Sequence, residues 1–172
     1  MSVYLALAKR FSTRAVVPLM NLYPPFLGAG IRVRVLSGGT HGEPLAIESS
    51  MRLAPSNRNF VGTHFGGSLY AMCDPFFVLI LLGSLGPDFV VWDKAASIRF
   101  VKPGRGTVTA TFRISPGEVE DVKARALRDG KVEPVFETTV RSASGEVVAE
   151  VVKTLYVRHK HAKKPSKSAE SA

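Results

Sequence analysis

The sequence predicts an α+β domain in which one antiparallel sheet curls around a buried, apolar helix. Three observations predict it. An almost continuously apolar run, GGSLYAMCDPFFVLILLGSL, spans residues 66–85. Segments on both sides of it alternate apolar and polar residues, the period of a half-buried strand. The 172 residues, 45% of them apolar, are enough for one packed core. A single helix covers a sheet poorly, so such a unit is expected to dimerise.

The elements follow in chain order. In residues 1–30, Phe11, Ala15, Leu19 and Leu22 recur at spacings of three and four, which predicts an amphipathic helix ended by Pro24-Pro25. The same stretch carries Lys9, Arg10, Ser12 and Arg14 and no acid, a composition shared with organellar transit peptides. No small-residue cleavage site follows a long apolar run, which argues against a secretory signal. Ile31 to Val35 alternates as a strand, Gly38-Gly39 and Gly42 mark a turn, and Ala46 to Leu53 forms a second strand. Residues 55–63 are loop-like, and Gly86-Pro87 stops the apolar run. Phe89 to Trp92 and Ala96 to Val101 read as strands flanking Asp93-Lys94. After the turn at 102–106, Val108, Ala110, Phe112 and Ile114 alternate with polar residues. Ser115, Pro116 and Glu118 form a capping box that opens a short helix with Val119, Val122 and Ala126 on its buried stripe, and Gly130 ends it. Val135 to Arg141 and Val147 to Val157 are the last strands. The expected division is an N-terminal helical extension over 1–30, the main domain over 31–158 and a disordered basic tail over 159–172.

A run of twenty apolar residues is also long enough to cross a bilayer. Asp74 and Pro75 fall in its middle, where a carboxylate costs about 2.5–3.5 kcal/mol, so a core helix is expected and no membrane span.

The net charge of +9 is concentrated at the ends: +3 over residues 1–30 and +4 over 158–172, with only +2 between them. A nucleic-acid interface wants basic residues interleaved with aromatics on a folded face, and the tail HKHAKKPSKSAESA holds no aromatic, so no nucleic-acid partner is expected. Cys73 is the one cysteine, which excludes a disulfide framework and any multi-cysteine zinc site and fits a reducing compartment. The four histidines (41, 64, 159 and 161) form no HExxH pair, and no phosphate loop of the GxxxxGK[ST] type occurs.

The residues that can carry chemistry lie between Asn59 and Asp74. Gly66-Gly67 at a helix start lets another group approach the backbone closely, and the first-turn N–H groups there have no intrahelical acceptor. Such donors can hold a carbonyl oxygen as it becomes an oxyanion. Asp74, two turns further on in apolar surroundings, suits a general base or nucleophile. A second reading is equally open from spacing. Asp followed by Pro is an ordinary helix start, in which Asp74 caps a second helix and does nothing else.

The motif GTHFGGSLYAMCDPFFVLI (62–80) and the order of elements resemble the hotdog-fold superfamily of acyl-CoA thioesterases, its PaaI-like branch in particular. That branch shows an Asn before a loop, then His-Gly-Gly opening the central helix, and an Asp or Glu nine residues after the His; Asn59, Gly66, Gly67 and Asp74 match those positions. The strand, turn and strand over 97–114 are similar as well. VWDKAASIRFVKPGRG (91–106) and EVVAEVVKTLYV (146–157) resemble, more closely, a hotdog subfamily without an assigned function. The likeness covers about residues 10–158. One position departs: Phe65 stands where the branch has its His, and His64 lies one residue earlier.

The resemblance implies a hotdog fold with an extra N-terminal helix and a short helix between late strands. It implies acyl-CoA thioester hydrolysis in a tunnel at the interface of a homodimer or dimer of dimers. Gly66 and Gly67 would hold the thioester carbonyl, and Asp74 would activate water or attack directly. Asn59 and His64 would assist at the catalytic site. Phe65 would line the acyl pocket, and Lys102 and Arg105 would meet the CoA phosphates. No cofactor or metal is implied, and the expected location is cytoplasmic. The departure at Phe65 motivates an alternative, a non-catalytic protein that binds acyl-CoA or fatty-acyl groups.

Overall fold

The computed structural model describes residues 13–39 and 43–161. The sequence readings over residues 1–12, over 40–42 with Gly42 of the expected turn, and over 162–172, including most of the basic tail, lie outside the described residues.

The main sheet is antiparallel throughout, with strand order β1-β2-β4-β6-β7-β3. Its strands are β1 (Ile31–Ser37), β2 (Ala46–Arg52), β3 (Phe89–Phe100), β4 (Thr107–Phe112), β6 (Val135–Ser142) and β7 (Val147–His159). A two-residue strand that the sequence pattern does not reveal, β5 (Lys131–Val132), adds to β7. Phe89 to Phe100 is one strand, where the sequence suggested two. Asp93 pairs with Leu155 and Ala95 with Thr154, so Lys94 is a bulge in a continuous ladder.

The apolar run packs against one face of this sheet. It is long and apolar enough to cross a membrane. In the fold its side chains Leu69, Phe76, Phe77, Ile80 and Leu81 are core. The run is helical in two pieces, α3 (Gly66–Ala71) and α4 (Phe76–Leu85). Pro75 explains the break, because its ring would clash with the carbonyl of Ala71 and it has no N–H to give that carbonyl. The Ala71 carbonyl accepts the Asp74 amide instead, at 3.3 Å. Phe76 and Phe77 then pack on Phe112 of β4, with ring centroids 4.7 and 5.3 Å away, and Phe77 stacks on Phe136 of β6 at 5.2 Å.

The capping box opens α5 (Pro116–Asp129) as expected: Ser115 Oγ accepts the Glu118 amide, and the Glu118 carboxylate accepts the Ser115 amide. Val119, Val122 and Ala126 are its buried face.

The N-terminal stretch differs from its expected stripe. It forms α1 (Thr13–Val16), a 3₁₀ turn (Val17–Leu22) and α2 (Pro24–Ala29). Val16, Val17, Met20 and Phe26 are buried, while Ala15, Leu19 and Leu22 face outward. Pro18 starts a tighter helix of three residues per turn, which rotates the apolar face away from a 3.6-residue stripe. Pro24-Pro25 opens α2, where the missing N–H is harmless. Asn21 here imitates a strand partner. Its side chain accepts the Val33 amide at 2.8 Å and donates to the Val33 carbonyl at 3.0 Å, covering the open edge of β1.

Candidate functional site

Two readings of Asp74-Pro75 were open, and the structure has a second helix without the cap. Pro75 occupies the N-cap of α4, and no side chain bonds to its first amides. The Asp74 carboxylate turns instead toward β7. Lys153 Nζ donates to Asp74 Oδ1 at 2.8 Å and to the Asp74 main-chain oxygen at 2.8 Å. It also meets Asp93 Oδ2 of β3 at 3.0 Å and the Tyr70 hydroxyl of α3 at 3.3 Å, with the Tyr70 ring centroid 5.2 Å away. Residues from α3, β3 and the break before α4 thus converge on one ammonium group of β7.

Local sequence explains the convergence. Along β7 the inward positions are Val151, Lys153, Leu155 and Val157, so Lys153 occupies a core slot and is 0% exposed. Along β3 the inward run is Phe89, Val91 and then Asp93. The Asp74 side chain sits at the rim, 49% exposed.

The electrostatics follow from burial and pairing. Burial pulls the Lys153 ammonium down, and its bonds to Asp74 and Asp93 more than offset that, leaving it above its ordinary value and charged. Burial pushes the Asp93 carboxyl up, with Lys153 opposing and the Asp74 charge adding to the rise. Burial also raises the Tyr70 hydroxyl. The Cys73 thiol is pushed up to about 12 by burial and stays protonated.

Of the residues singled out in the sequence, Gly66 and Gly67 are the first two positions of α3, half a helical run away from Asp74. A side chain at either glycine would meet an aromatic ring. A Cβ on Gly66 would lie 2.8 Å from Phe100, and one on Gly67 would lie 2.4 Å from Phe65. Both rings are more than half exposed, so the two glycines are flanked by exposed aromatic surface.

Asn59 organises its own loop, accepting the amides of Val61 and Thr63 and donating to Thr63 Oγ1 at 2.9 Å. Its neighbour Asn57, which the sequence reading passed over, is the buried hub. It donates to the Ala29 and Arg52 carbonyls and accepts the Ala54 amide. Flanked by Ser56 and Arg58 in a polar loop, it carries no local signal that sets it apart from its neighbours.

The His64 ring is buried, with Nε2 3.1 Å from the Gly106 carbonyl and its amide bonded to Gly104. Gly106 also accepts the Leu53 amide, so the turn at 102–106 is pinned against the 53–64 loop. On that turn Lys102 is paired with Glu146 at 2.5 Å, while Arg105 is exposed and has no ion-pair partner among the described residues. A group of three or more potential metal-ligating side chains is absent among the described residues.

Burial, the larger cause, lowers the His64 pKa below its ordinary 6.5, and the Gly106 bond opposes this in part. The folded state therefore favours the neutral ring. The stability it contributes is complete above pH 6.5 and is lost as the pH falls through the lowered folded value. Thermal unfolding followed from about pH 8 to pH 5 is expected to show this decline, with a shallower slope in His64→Gln. Equal slopes in the two proteins would remove His64 from the account.

Comparison with solved structures shows the hotdog fold. The Pseudomonas aeruginosa protein PA5026, described as a protein of unknown function and probable thioesterase, superposes with a TM-score of 0.72 at 25% identity, covering 86% of this chain and 93% of that one. A Streptococcus mutans protein bound to acetyl-CoA gives 0.53 at 21% identity, covering 75% and 90%. The Escherichia coli PaaI protein of the phenylacetic acid degradation operon gives 0.52 at 15% identity, covering 86% and 94%. No protein of curated function matches the sequence. A family model matches residues 11–157, nearly all of the folded chain, and the chain belongs to that family, described as the domain of unknown function DUF4442.

Proposed function

We propose that the protein hydrolyses acyl-CoA thioesters, with Asp74 as the general base. The observation that carries this reading is the Asp74 carboxylate, half-exposed at the rim and held there by a wholly buried cation. A carboxylate fixed in this way keeps one oxygen on Lys153 and presents the other to a water molecule. The water attacks the thioester carbonyl carbon as Asp74 takes its proton, and the carbonyl oxygen becomes an oxyanion near the Gly66 and Gly67 amides. The carbon–sulfur bond then breaks. The carboxylic acid leaves, and the CoA thiolate takes the proton that Asp74 accepted from water, which restores the carboxylate.

Distance supports a site shared between two copies. Gly66 opens α3 and Asp74 lies past its end; the six residues of that helix alone span about 9 Å, which favours the two groups acting from different copies. β3 is the sheet edge that no described segment covers, twelve residues long with Trp92 and Phe100 exposed. Antiparallel pairing of two β3 edges is the homodimer we propose, bringing Asp74 of one copy toward Gly66 and Gly67 of the other. Arg105 is the cation of the 102–106 turn left to meet the CoA phosphates, since Lys102 is already paired with Glu146.

A panel of short, aromatic and long acyl-CoAs, followed by release of free thiol, tests the reading, and light scattering tests the dimer. Turnover of at least one class is expected. One observation favours a second reading, that of a binder without turnover: Phe65 stands where the PaaI-like branch that the sequence resembles has a His, and the adjacent His64 ring is bound to backbone. Acyl-CoA that raises Tm with no thiol released across the whole panel would select it.

A further inference from the structure

We propose that Lys153 is a positioning residue for the reaction, fixing the direction of the Asp74 carboxylate, and that Asp93 anchors that lysine from β3. This rests on the hydrolase reading only for its kinetic readout.

The argument starts from where the lysine sits. Position 153 is in phase with Val151, Leu155 and Val157, and a leucine or methionine there would continue the core. Burying an ion pair costs about as much as it returns, and apolar replacements of such pairs are often neutral or stabilising. Core packing therefore does not account for a wholly buried ammonium. Its geometry does. Nζ holds Asp74 at two points, the side-chain Oδ1 and the main-chain oxygen, both at 2.8 Å. A grip on the backbone and the carboxylate of one residue fixes its rotamer. It does so at the break before Pro75, where no cap or helical bond holds the Asp74 side chain.

The second carboxylate holds the lysine from the far side. One cation is shared between Asp74 and Asp93, and Asp93 Oδ1 is buried without a hydrogen-bond partner. Asp93 is thus held on one oxygen only, and that contact ties the ammonium to β3. The other titratable groups around Asp74 are Tyr70 of α3 and Cys73 beside it, and burial keeps both neutral at working pH.

The test combines kinetics with structure. Lys153→Met is expected to lower kcat for thiol release at least tenfold with little change in KM, because the carboxylate loses its aim while substrate contacts stay, and Lys153→Arg is expected to recover part of the loss. A crystal structure of Lys153→Met is expected to show the Asp74 side chain turned away from its wild-type rotamer. Unchanged kcat, or an unchanged Asp74 rotamer, would overturn the proposal. Should Lys153→Met fail to fold, Lys153→Arg, which keeps the charge and moves its donors, is read in the same two ways. Absence of turnover in the wild type on every thioester would sink the hydrolase reading, while the Asp74 rotamer in the variant would still decide this one.

Discussion

Asp74→Asn is expected to lower kcat for acyl-CoA hydrolysis by roughly 10²- to 10⁴-fold, the usual contribution of a positioned general base, with little change in Tm. The amide is nearly the same size as the carboxylate but has no basic oxygen. The fold survives because the variant does not strand the buried cation. Lys153 keeps Asp93 Oδ2 at 3.0 Å, the main-chain oxygen at residue 74 and the Tyr70 hydroxyl. Removing a sole partner from a buried pair costs about 3–5 kcal/mol, and that penalty is avoided here. Thiol release under saturating substrate and a thermal melt on the same sample separate the two effects. Wild-type turnover in Asp74→Asn would move the base to another residue. Lost turnover together with a collapsed melt would show that the carboxylate is structural.

The sequence made the architecture readable wherever a side chain's position followed from its neighbours along the chain. Alternation located β1, β2, β4, β6 and β7, and the Ser115–Glu118 box located α5 to the residue. The N-terminal stripe failed because Pro18 changed the helical period, and a stripe is only as good as its period. The candidate site was readable in half. Asp74 stood out because it interrupts an apolar run, and the structure gives it neither the cap role nor isolation. Its partners come from β3 and β7, 19 and 79 residues further along the chain, a separation no local pattern spans. A signal was nonetheless present. Lys153 and Asp93 each occupy an inward phase of an otherwise apolar alternation, and opposite charges at two such slots are what a buried pair leaves in a sequence. His64 shows the reverse case. The family motif drew attention to it, and its ring is bound to the Gly106 carbonyl, a contact between a loop and a turn 42 residues away.

The second large effect concerns what holds Asp74 near Lys153 in the first place. Asp74 precedes α4, and α4 is seated by Phe76 and Phe77 against Phe112, which is 0% exposed on β4. Phe112→Ala removes the surface both rings pack on and leaves a cavity that the stiff sheet cannot close, so a loss of about 3–5 kcal/mol is expected. For a domain of this size that is about 10 °C in Tm. Phe112→Leu keeps most of the volume and should cost clearly less, about 1–2 kcal/mol. Leu127 on the outer face of α5, 51% exposed, is the control, because cutting it to Ala leaves no buried void. Chemical denaturation of the three variants checks the order Phe112→Ala, Phe112→Leu, Leu127→Ala. If α4 sets the aim of Asp74, Phe112→Ala should also lose turnover at temperatures where it is still folded, since a displacement of about 1 Å at a catalytic group costs up to about 10²-fold. Full activity in a folded but destabilised Phe112→Ala would show that Lys153 alone, without the aromatic seat of α4, is enough to hold the carboxylate in place.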